Sequence, residues 1–151
     1  MVNALVLYHS QEYGHTAAMA RAVADGLKEG GCTVEMFNTN DGRFEVSTLA
    51  KYQVVAIGSP DYYSYIAGGL KTFLDDLYIA VVRKQMQGLR GKAYVLFYSH
   101  GGGGRVREVM LKLFTYIGHM VGEPVGAFGQ PDARTLEQCR ALGKKLAQAM
   151  T

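Results

Sequence analysis

The alternation of strand-like and helix-like segments along the chain is the feature that most constrains its fold. Short runs of apolar residues predict strands, and segments whose apolar residues recur at three- and four-residue steps predict helices. Strict alternation of five strands with five helices is typical of a doubly wound parallel α/β sheet, because parallel neighbours need a crossover connection. The predicted strands are residues 4–8, 32–38, 54–57, 93–98 and 125–128, and the predicted helices are 14–28, 46–51, 68–77 (or as far as 86), 106–119 and 133–150.

The chain has the size and composition of one globular domain, residues 1–151. It is 48% hydrophobic, which is enough for a real core in a chain of 151 residues. No stretch approaches the ~20 apolar residues of a membrane span, and residues 1–8 form the first predicted strand rather than a signal peptide. We therefore expect a cytoplasmic protein with no membrane partner.

Charge and cysteine usage exclude two further classes of function. The formal net charge is +3, and the Lys and Arg residues are scattered without a dense basic run. A nucleic-acid footprint needs basic residues clustered on one face, so we expect no nucleic-acid partner. Cys32 and Cys139 lie far apart and outside any metal-binding or redox spacing, so we expect ordinary thiols and no metal site.

The loop between the first predicted strand and the first predicted helix, residues 9–15, has the layout of a phosphate site. A loop that runs into a helix N-terminus points backbone N–H groups at one spot, at the positive end of the helix dipole. Gly14 allows a close backbone approach, and the hydroxyls of Ser10 and Thr16 can donate to phosphate oxygens. The Lys of a P-loop and the spaced glycines of a dinucleotide fingerprint are absent here. The loop therefore predicts one phosphate bound mainly by neutral donors, as in a mononucleotide.

Two more unusual loops follow the third and fourth predicted strands, at residues 59–67 and 99–104. Ligands of doubly wound sheets bind at the carboxyl ends of the strands, so all three loops are expected to converge. The second loop carries Tyr62, Tyr63 and Tyr65, which suit either a stacking wall for a planar ring or packing at an edge or subunit interface. The third loop, with four consecutive glycines, suits backbone contact with a ligand edge or a flexible joint. Together the loops predict a phosphorylated planar heterocycle, and FMN fits best.

The residues of these loops resemble those of the flavodoxin-like family of FMN proteins, and the resemblance covers nearly the whole chain. The family's first-loop pattern is matched by Tyr8, Ser10, Gly14, Thr16, Ala20 and Val23, with one extra residue between Ser10 and Gly14. His15 stands where the family usually has Asn, as in flavodoxin-like NAD(P)H:quinone oxidoreductases. The second-loop pattern is matched by residues 59–62, with Asp61 in place of Thr.

The resemblance implies a three-layer α/β sandwich whose five-stranded parallel sheet has the order 2-1-3-4-5. A short fifth strand, expected to be uninterrupted, makes the chain similar to the short-chain flavodoxins. The resemblance also implies that the first loop holds the phosphate of FMN and that the other two flank its ring. The candidate cofactor-binding residues are Ser10, Gln11, Glu12, Tyr13, Gly14, His15, Thr16, Pro60, Asp61, Tyr62, Tyr63, Ser64, Tyr65, Ser99, His100, Gly101, Gly102 and Gly103.

Several roles stay open at the level of sequence. Asp61 is a candidate for lowering the reduction potential by repelling the reduced flavin, or it caps a turn. Either Tyr62 or Tyr63 would stack on the ring. Histidine is the residue type suited to proton exchange near neutral pH, so His15 and His100 are candidates for modulating ring protonation, or they are simply exposed.

Two functions fit a flavin site in this chain, and we expect either a monomer or a homodimer. The first is electron transfer between protein partners without a substrate site, which the short length favours. The second is NAD(P)H-dependent reduction of quinones or flavin, which His15, the glycine loop and the mildly basic charge favour. A phosphoryl-receiver domain is excluded because His9, Ser10 and Gln11 follow the first strand where clustered acids are needed. A nicotinamide-binding domain is excluded because its glycines would follow the first strand, not the fourth.

Overall fold

A computed structural model describes residues 1–149 and confirms the parallel sheet with strand order 2-1-3-4-5. The strands are β1 (Asn3–Tyr8), β2 (Thr33–Asn38), β3 (Val54–Pro60), β4 (Lys92–His100), β5 (Gly118–Met120) and β6 (Val125–Phe128). The α-helices are α1 (His15–Glu29), α2 (Gly68–Tyr78), α3 (Val106–Leu113) and α4 (Ala133–Gln148). Short 3-10 helices cover Val46–Lys51 and Phe114–Ile117, and a π-helical turn covers Ile79–Arg83. The last residue of the predicted final helix, Met150, lies outside the described residues.

The fifth position of the sheet is divided between two short strands, so the predicted uninterrupted fifth strand is wrong. β5 pairs with the beginning of β4, and β6 pairs with its end. Residues 121–124 separate the two. The predicted helix over 106–119 is also too long, because Gly118 (φ 155°) turns the chain out of the helical layer into β5. A Cβ at Gly118 would lie 2.0 Å from the carbonyl oxygen of Lys92, so this close strand pairing overrides the helical periodicity.

Helices cover both faces of the sheet, which explains why the central strands are continuous apolar runs. On one face, Leu5, Leu7 and Ile57 are buried under α2, α3 and the first 3-10 helix. On the other face, Val6 and Ala56 are buried under α1 and α4. Every strand except the edge strand β2 and the two short strands is therefore shielded from water on both sides, as in the predicted three-layer sandwich.

Helices α1 and α4 pack backbone against backbone through glycines. A Cβ at Gly26 would lie 1.9 Å from the Arg140 carbonyl oxygen, and a Cβ at Gly143 would lie 2.1 Å from the Val23 carbonyl oxygen. This contact fixes the C-terminal half of α1 against α4. Cys139 is buried in the same layer, and its burial raises the thiol pKa to about 12, consistent with an ordinary core thiol.

No helix among residues 1–149 is long and apolar enough to cross a membrane.

We predict that Gly143→Ala lowers the free energy of unfolding by about 2 kcal/mol, because the added methyl group overpacks the α1–α4 contact. Gly68→Ala is the matched control, since a Cβ at Gly68 meets no atom within 4 Å. This control should change the free energy of unfolding by less than about 0.5 kcal/mol. Urea denaturation measures both, and equal stability of the two variants would contradict close backbone packing.

Tyr52 makes the stability of the fold sensitive to alkaline pH. Its side chain is buried, and its hydroxyl donates to Glu35 Oε2 at 2.5 Å. Burial and the neighbouring Glu35 carboxylate raise the pKa of Tyr52 to about 12. Above pH 10 the unfolded chain loses the phenolic proton while the folded chain keeps it, so the folded state binds more protons.

We therefore predict that stability falls as pH rises from 10 towards 12, and that the fall is smaller in Tyr52→Phe. Tyr78→Phe, at an exposed tyrosine, is the control and should keep the wild-type pH dependence. Chemical denaturation at stepped pH measures the slopes. Identical slopes in wild type and Tyr52→Phe would refute the role of Tyr52.

Candidate cofactor site

The three predicted loops converge on one open cleft at the carboxyl ends of β1, β3 and β4. Its volume is about 290 Å³, near the lower end of the range for small-molecule sites. Residues 59–60 and 99–100 belong to the strands β3 and β4, so the second and third loops begin later than predicted. The cleft is lined by Gln11, Glu12, Tyr13, His15, Thr16, Pro60, Asp61, Tyr62, Ser99, His100, Gly101 and Gly129.

The loop before α1 presents a row of backbone donors. Glu12 (φ 58°) and Gly14 (φ 73°) have left-handed backbone conformations, which turn successive N–H groups towards a concave side of the chain. Five N–H groups of this segment have no acceptor within residues 1–149, namely those of Gln11, Glu12, Tyr13, His15 and Thr16. Free amides at a helix N-terminus are the donor set that binds an anion.

Ser10 is held beneath this loop, and its surroundings leave its hydroxyl proton free to donate. Its N–H donates to Asn38 Oδ1, and the Asn38 amide donates back to the Ser10 carbonyl oxygen, both at 3.0 Å. Ser10 Oγ accepts from the backbone N–H of Ala17 at 3.1 Å, which caps α1. Sequence reasoning missed Asn38, although its position at the carboxyl end of β2, beside Tyr8 of β1, was a usable signal.

Two buried hydroxyls link the first loop to the end of β4. Thr16 Oγ1 and Ser99 Oγ lie 2.8 Å apart and share one hydrogen bond. Each hydroxyl keeps capacity for another hydrogen bond, and both residues line the cleft. The first and third loops are therefore joined at the floor of the cleft.

The tyrosine-rich loop is a two-residue hairpin. Tyr62 and Tyr65 exchange two backbone hydrogen bonds of 3.0 Å. Tyr63 (φ 55°) and Ser64 (φ 63°) form its tip, and positive φ at both positions defines a type I′ turn. Tyr62 lines the cleft, whereas the side chain of Tyr63 is fully exposed outside it. The structure thus places only Tyr62 at the cleft, whereas the sequence did not distinguish Tyr62 from Tyr63.

His9 supports both the hairpin and the first loop. Its ring packs edge-on against Tyr62, with ring centroids 6.0 Å apart. Its nitrogens are hydrogen-bonded to Thr39 Oγ1 at 2.8 Å and to Gln11 Oε1 at 2.7 Å. His9 is the first residue of the predicted phosphate loop and had no predicted role in the site, because two of its partners, Thr39 and Tyr62, come from other loops.

The carboxylate of Asp61 is hydrogen-bonded through both oxygens. Oδ1 accepts from the N–H of Ser64 at 2.8 Å and so caps the hairpin turn. This is the turn-capping role that the sequence analysis gave as one of two alternatives for Asp61. Oδ2 accepts from the N–H of Val106 at 3.0 Å, at the beginning of α3. The backbone N–H of Asp61 donates to the carbonyl oxygen of Ser99 at 2.8 Å.

The glycine loop follows His100 and has backbone donors at the cleft (Gly101) and beside it (Gly102 and Gly103). The N–H groups of residues 101–103 have no acceptor in the described part of the chain. The His100 ring stacks near Tyr98 (5.9 Å between centroids) and meets Phe128 edge-on (5.4 Å). His100 Nδ1 is buried and has no hydrogen-bond partner in residues 1–149.

Not every predicted site residue lines the cleft. Those that lie beneath or beside it are Ser10, Gly14, Tyr63, Ser64, Tyr65, Gly102 and Gly103. Sequence reasoning missed Gly129, which follows β6 and donates its N–H to the His100 carbonyl oxygen at 2.8 Å. Gly129 could have been predicted as a site residue, because it directly follows the predicted strand 125–128 at its carboxyl end.

The fold and the cleft define a class: doubly wound α/β proteins with a nucleotide-type site at the carboxyl ends of parallel strands. The family model for flavodoxin matches residues 6–143, and the chain belongs to the flavodoxin family. Its general functional class is therefore that of flavin-binding redox proteins.

Several solved structures superpose on nearly the whole chain. A flavodoxin from the domain Archaea has 25% sequence identity and a TM-score of 0.81, with 98% of each chain covered. A WrbA-like flavodoxin from Agrobacterium tumefaciens has 21% identity and a TM-score of 0.80, with 99% of this chain and 97% of that chain covered. The rubredoxin oxygen:oxidoreductase of Desulfovibrio gigas has 24% identity and a TM-score of 0.83, over 98% of this chain and 36% of the other.

The donor set of the cleft fits FMN. The free amides before α1 suit a phosphate, and no Lys or Arg is among the cleft-lining residues that the structure describes. Tyr62 supplies an aromatic wall, and Gly101 supplies an amide donor without a side chain, with the amides of Gly102 and Gly103 beside the cleft. The buried Nδ1 of His100 is one further hydrogen-bonding atom, and it has no partner among residues 1–149. A phosphate end and an aromatic end thus lie in one cleft.

We predict that Ser10→Ala and Thr16→Val each weaken FMN binding about tenfold, since each removes a hydroxyl donor at the phosphate loop. Binding of riboflavin, which has no phosphate, should change less than about twofold. Ser47→Ala, at an exposed serine in the first 3-10 helix, is the control. Quenching of flavin fluorescence measures each Kd. Equal losses for FMN and riboflavin would show that this loop does not bind phosphate.

Proposed function

We propose that this chain binds FMN and transfers electrons between protein partners. The observation that carries the proposal is one cleft that combines acceptor-free amides at the N-terminus of α1 with an aromatic wall and a glycine loop. A phosphorylated planar cofactor needs all three features at once. Bound FMN would supply the redox chemistry, and the protein would supply binding, orientation and access.

Each part of the cleft has a distinct role in the proposal. The amides of residues 11–16 and the hydroxyls of Ser10 and Thr16 would hold the phosphate, aided by the dipole of α1. Tyr62 would stack on the ring, because it lines the cleft and Tyr63 does not. The amides of residues 101–103 would donate to the polar edge of the ring.

The rim of the cleft supports a protein partner. Tyr13 and Tyr63 come from two different loops, Phe128 ends strand β6, and all three residues are largely exposed. Aromatic rings provide large contact area at a small loss of conformational entropy, which suits a transient interface. The interruption of the fifth sheet position is confined to residues 121–124, which leaves little chain there for a separate nicotinamide pocket.

The alternative is NAD(P)H-dependent reduction of a quinone or of flavin with FMN as the bound cofactor. His15 favours it, since this residue lines the cleft and stacks on Tyr13 with 5.7 Å between ring centroids. The net charge of +3 also departs from the acidic surface expected of an electron carrier. Steady-state NAD(P)H oxidation with a quinone acceptor separates the two functions. Turnover by the FMN-loaded protein alone would favour the enzyme.

We predict that Tyr62→Ala weakens FMN binding about tenfold, because the cleft loses its aromatic wall. Tyr63→Ala should keep the Kd for FMN within about twofold, since its ring lies outside the cleft. The test is FMN titration followed by desalting, with the visible flavin absorption as readout. Failure of the wild-type protein to retain FMN would overturn the proposed function.

A further inference from the structure

We propose that Asp61 is a positioning residue that ties the aromatic wall of the cleft to the start of α3. Its two carboxylate oxygens accept from backbone N–H groups in two separate segments, at Ser64 in the hairpin and at Val106 in α3. With the link from its own N–H to Ser99, three segments meet at one residue. The hairpin and the glycine loop, which leads into α3, then act as one rigid wall. The consequence for FMN affinity rests on the proposed function.

The hairpin has its own two backbone hydrogen bonds and the ring contact of His9 with Tyr62, and the carboxylate of Asp61 adds the hydrogen bond that holds its tip. The rings of Tyr62, Tyr63 and Tyr65 are all exposed by more than a third. Tyr63 and Ser64 occupy left-handed backbone conformations, which are unfavourable for residues other than glycine. The carboxylate of Asp61 binds the N–H of Ser64 within this strained tip and so offsets part of its cost.

The beginning of α3 depends on the same carboxylate. Its N-cap residue, Arg105, makes no side-chain capping hydrogen bond. The N–H of Val106 is one of the helix-terminal amides that need an outside acceptor, and Asp61 Oδ2 provides it from 45 residues away in sequence. A carboxylate at a helix N-terminus is also stabilised by the helix dipole. Asp61 therefore serves two elements that cannot satisfy these donors themselves.

A positioning role and a purely electrostatic role of Asp61 predict opposite changes in FMN affinity when its carboxylate is removed. If Asp61 acted only as a negative charge near FMN, its removal would tighten binding of the anionic cofactor. If it positions the hairpin, its removal lowers the fraction of molecules whose aromatic wall is in place. The apparent Kd rises by the inverse of that fraction, so a wall in place for about a tenth of the time gives about a tenfold loss.

The experiment compares Asp61→Asn and Asp61→Ala with Asp132→Asn. The Asn side chain keeps one acceptor oxygen and the Ala side chain keeps none. Asp132 is a matched control because its Oδ1 accepts from the N–H of Thr135 at 2.8 Å, capping α4 in the same way. Amide hydrogen exchange at Ser64, Val106 and Thr135 is measured without added flavin, and FMN titration gives the Kd.

We expect Asp61→Ala to accelerate exchange at both Ser64 and Val106 and to raise the Kd for FMN about tenfold. Asp61→Asn should accelerate exchange at one of the two amides and raise the Kd by a smaller factor. Asp132→Asn should affect exchange at Thr135 and leave the Kd for FMN within about twofold. Unchanged exchange at both Ser64 and Val106, or tighter FMN binding by folded Asp61→Asn, would overturn the proposal.

The two proposals fail in distinguishable ways. A wild-type protein that binds no FMN refutes the proposed function, while exchange at Ser64 and Val106 still decides whether Asp61 ties the two segments. Circular dichroism verifies that each variant is folded, and Asp61→Asn carries the test if Asp61→Ala does not fold.

Discussion

The parallel pairing of β1 with β2 on one side and β3 on the other is the constraint on which the rest of the structure depends. Because crossovers between parallel strands are right-handed, the chain must leave towards opposite faces of the sheet on either side of β1. Helix α1 covers one face, and the first 3-10 helix and α2 cover the other. The loops after β1 and β3 therefore separate and open a crevice, which is where ligands of such sheets bind.

The crevice is built so that neutral groups can bind a negative charge. The buried hydroxyls of Thr16 and Ser99 in the crevice, and that of Ser10 beside it, are each held by a hydrogen bond within the protein. The amides before α1 add fixed partial charges from the backbone. Helix α1 carries these amides at its N-terminus and packs on α4 through glycines in its C-terminal half.

Much of the cleft could be predicted from the sequence because its loops lie directly after apolar strands. The positions of the phosphate loop, the tyrosines and the glycine run all follow from that rule. Asn38, His9 and the second partner of Asp61 could not be predicted, since each depends on a contact between loops distant in sequence. The predicted helix was wrong at residues 118 and 119, because the close pairing of Gly118 with Lys92 outweighs a weak local preference for helix.

The sequence by itself determined the type and order of most elements, since hydrophobic periodicity is a local property that reflects which faces are buried. It also placed the candidate site at the carboxyl ends of the strands. Only the tertiary structure decided that the fifth sheet position is divided, that Tyr62 rather than Tyr63 lines the cleft, and that Asp61 joins the hairpin to α3. The reason is physical: these features depend on how closely separate backbone segments approach, and no local pattern encodes that distance.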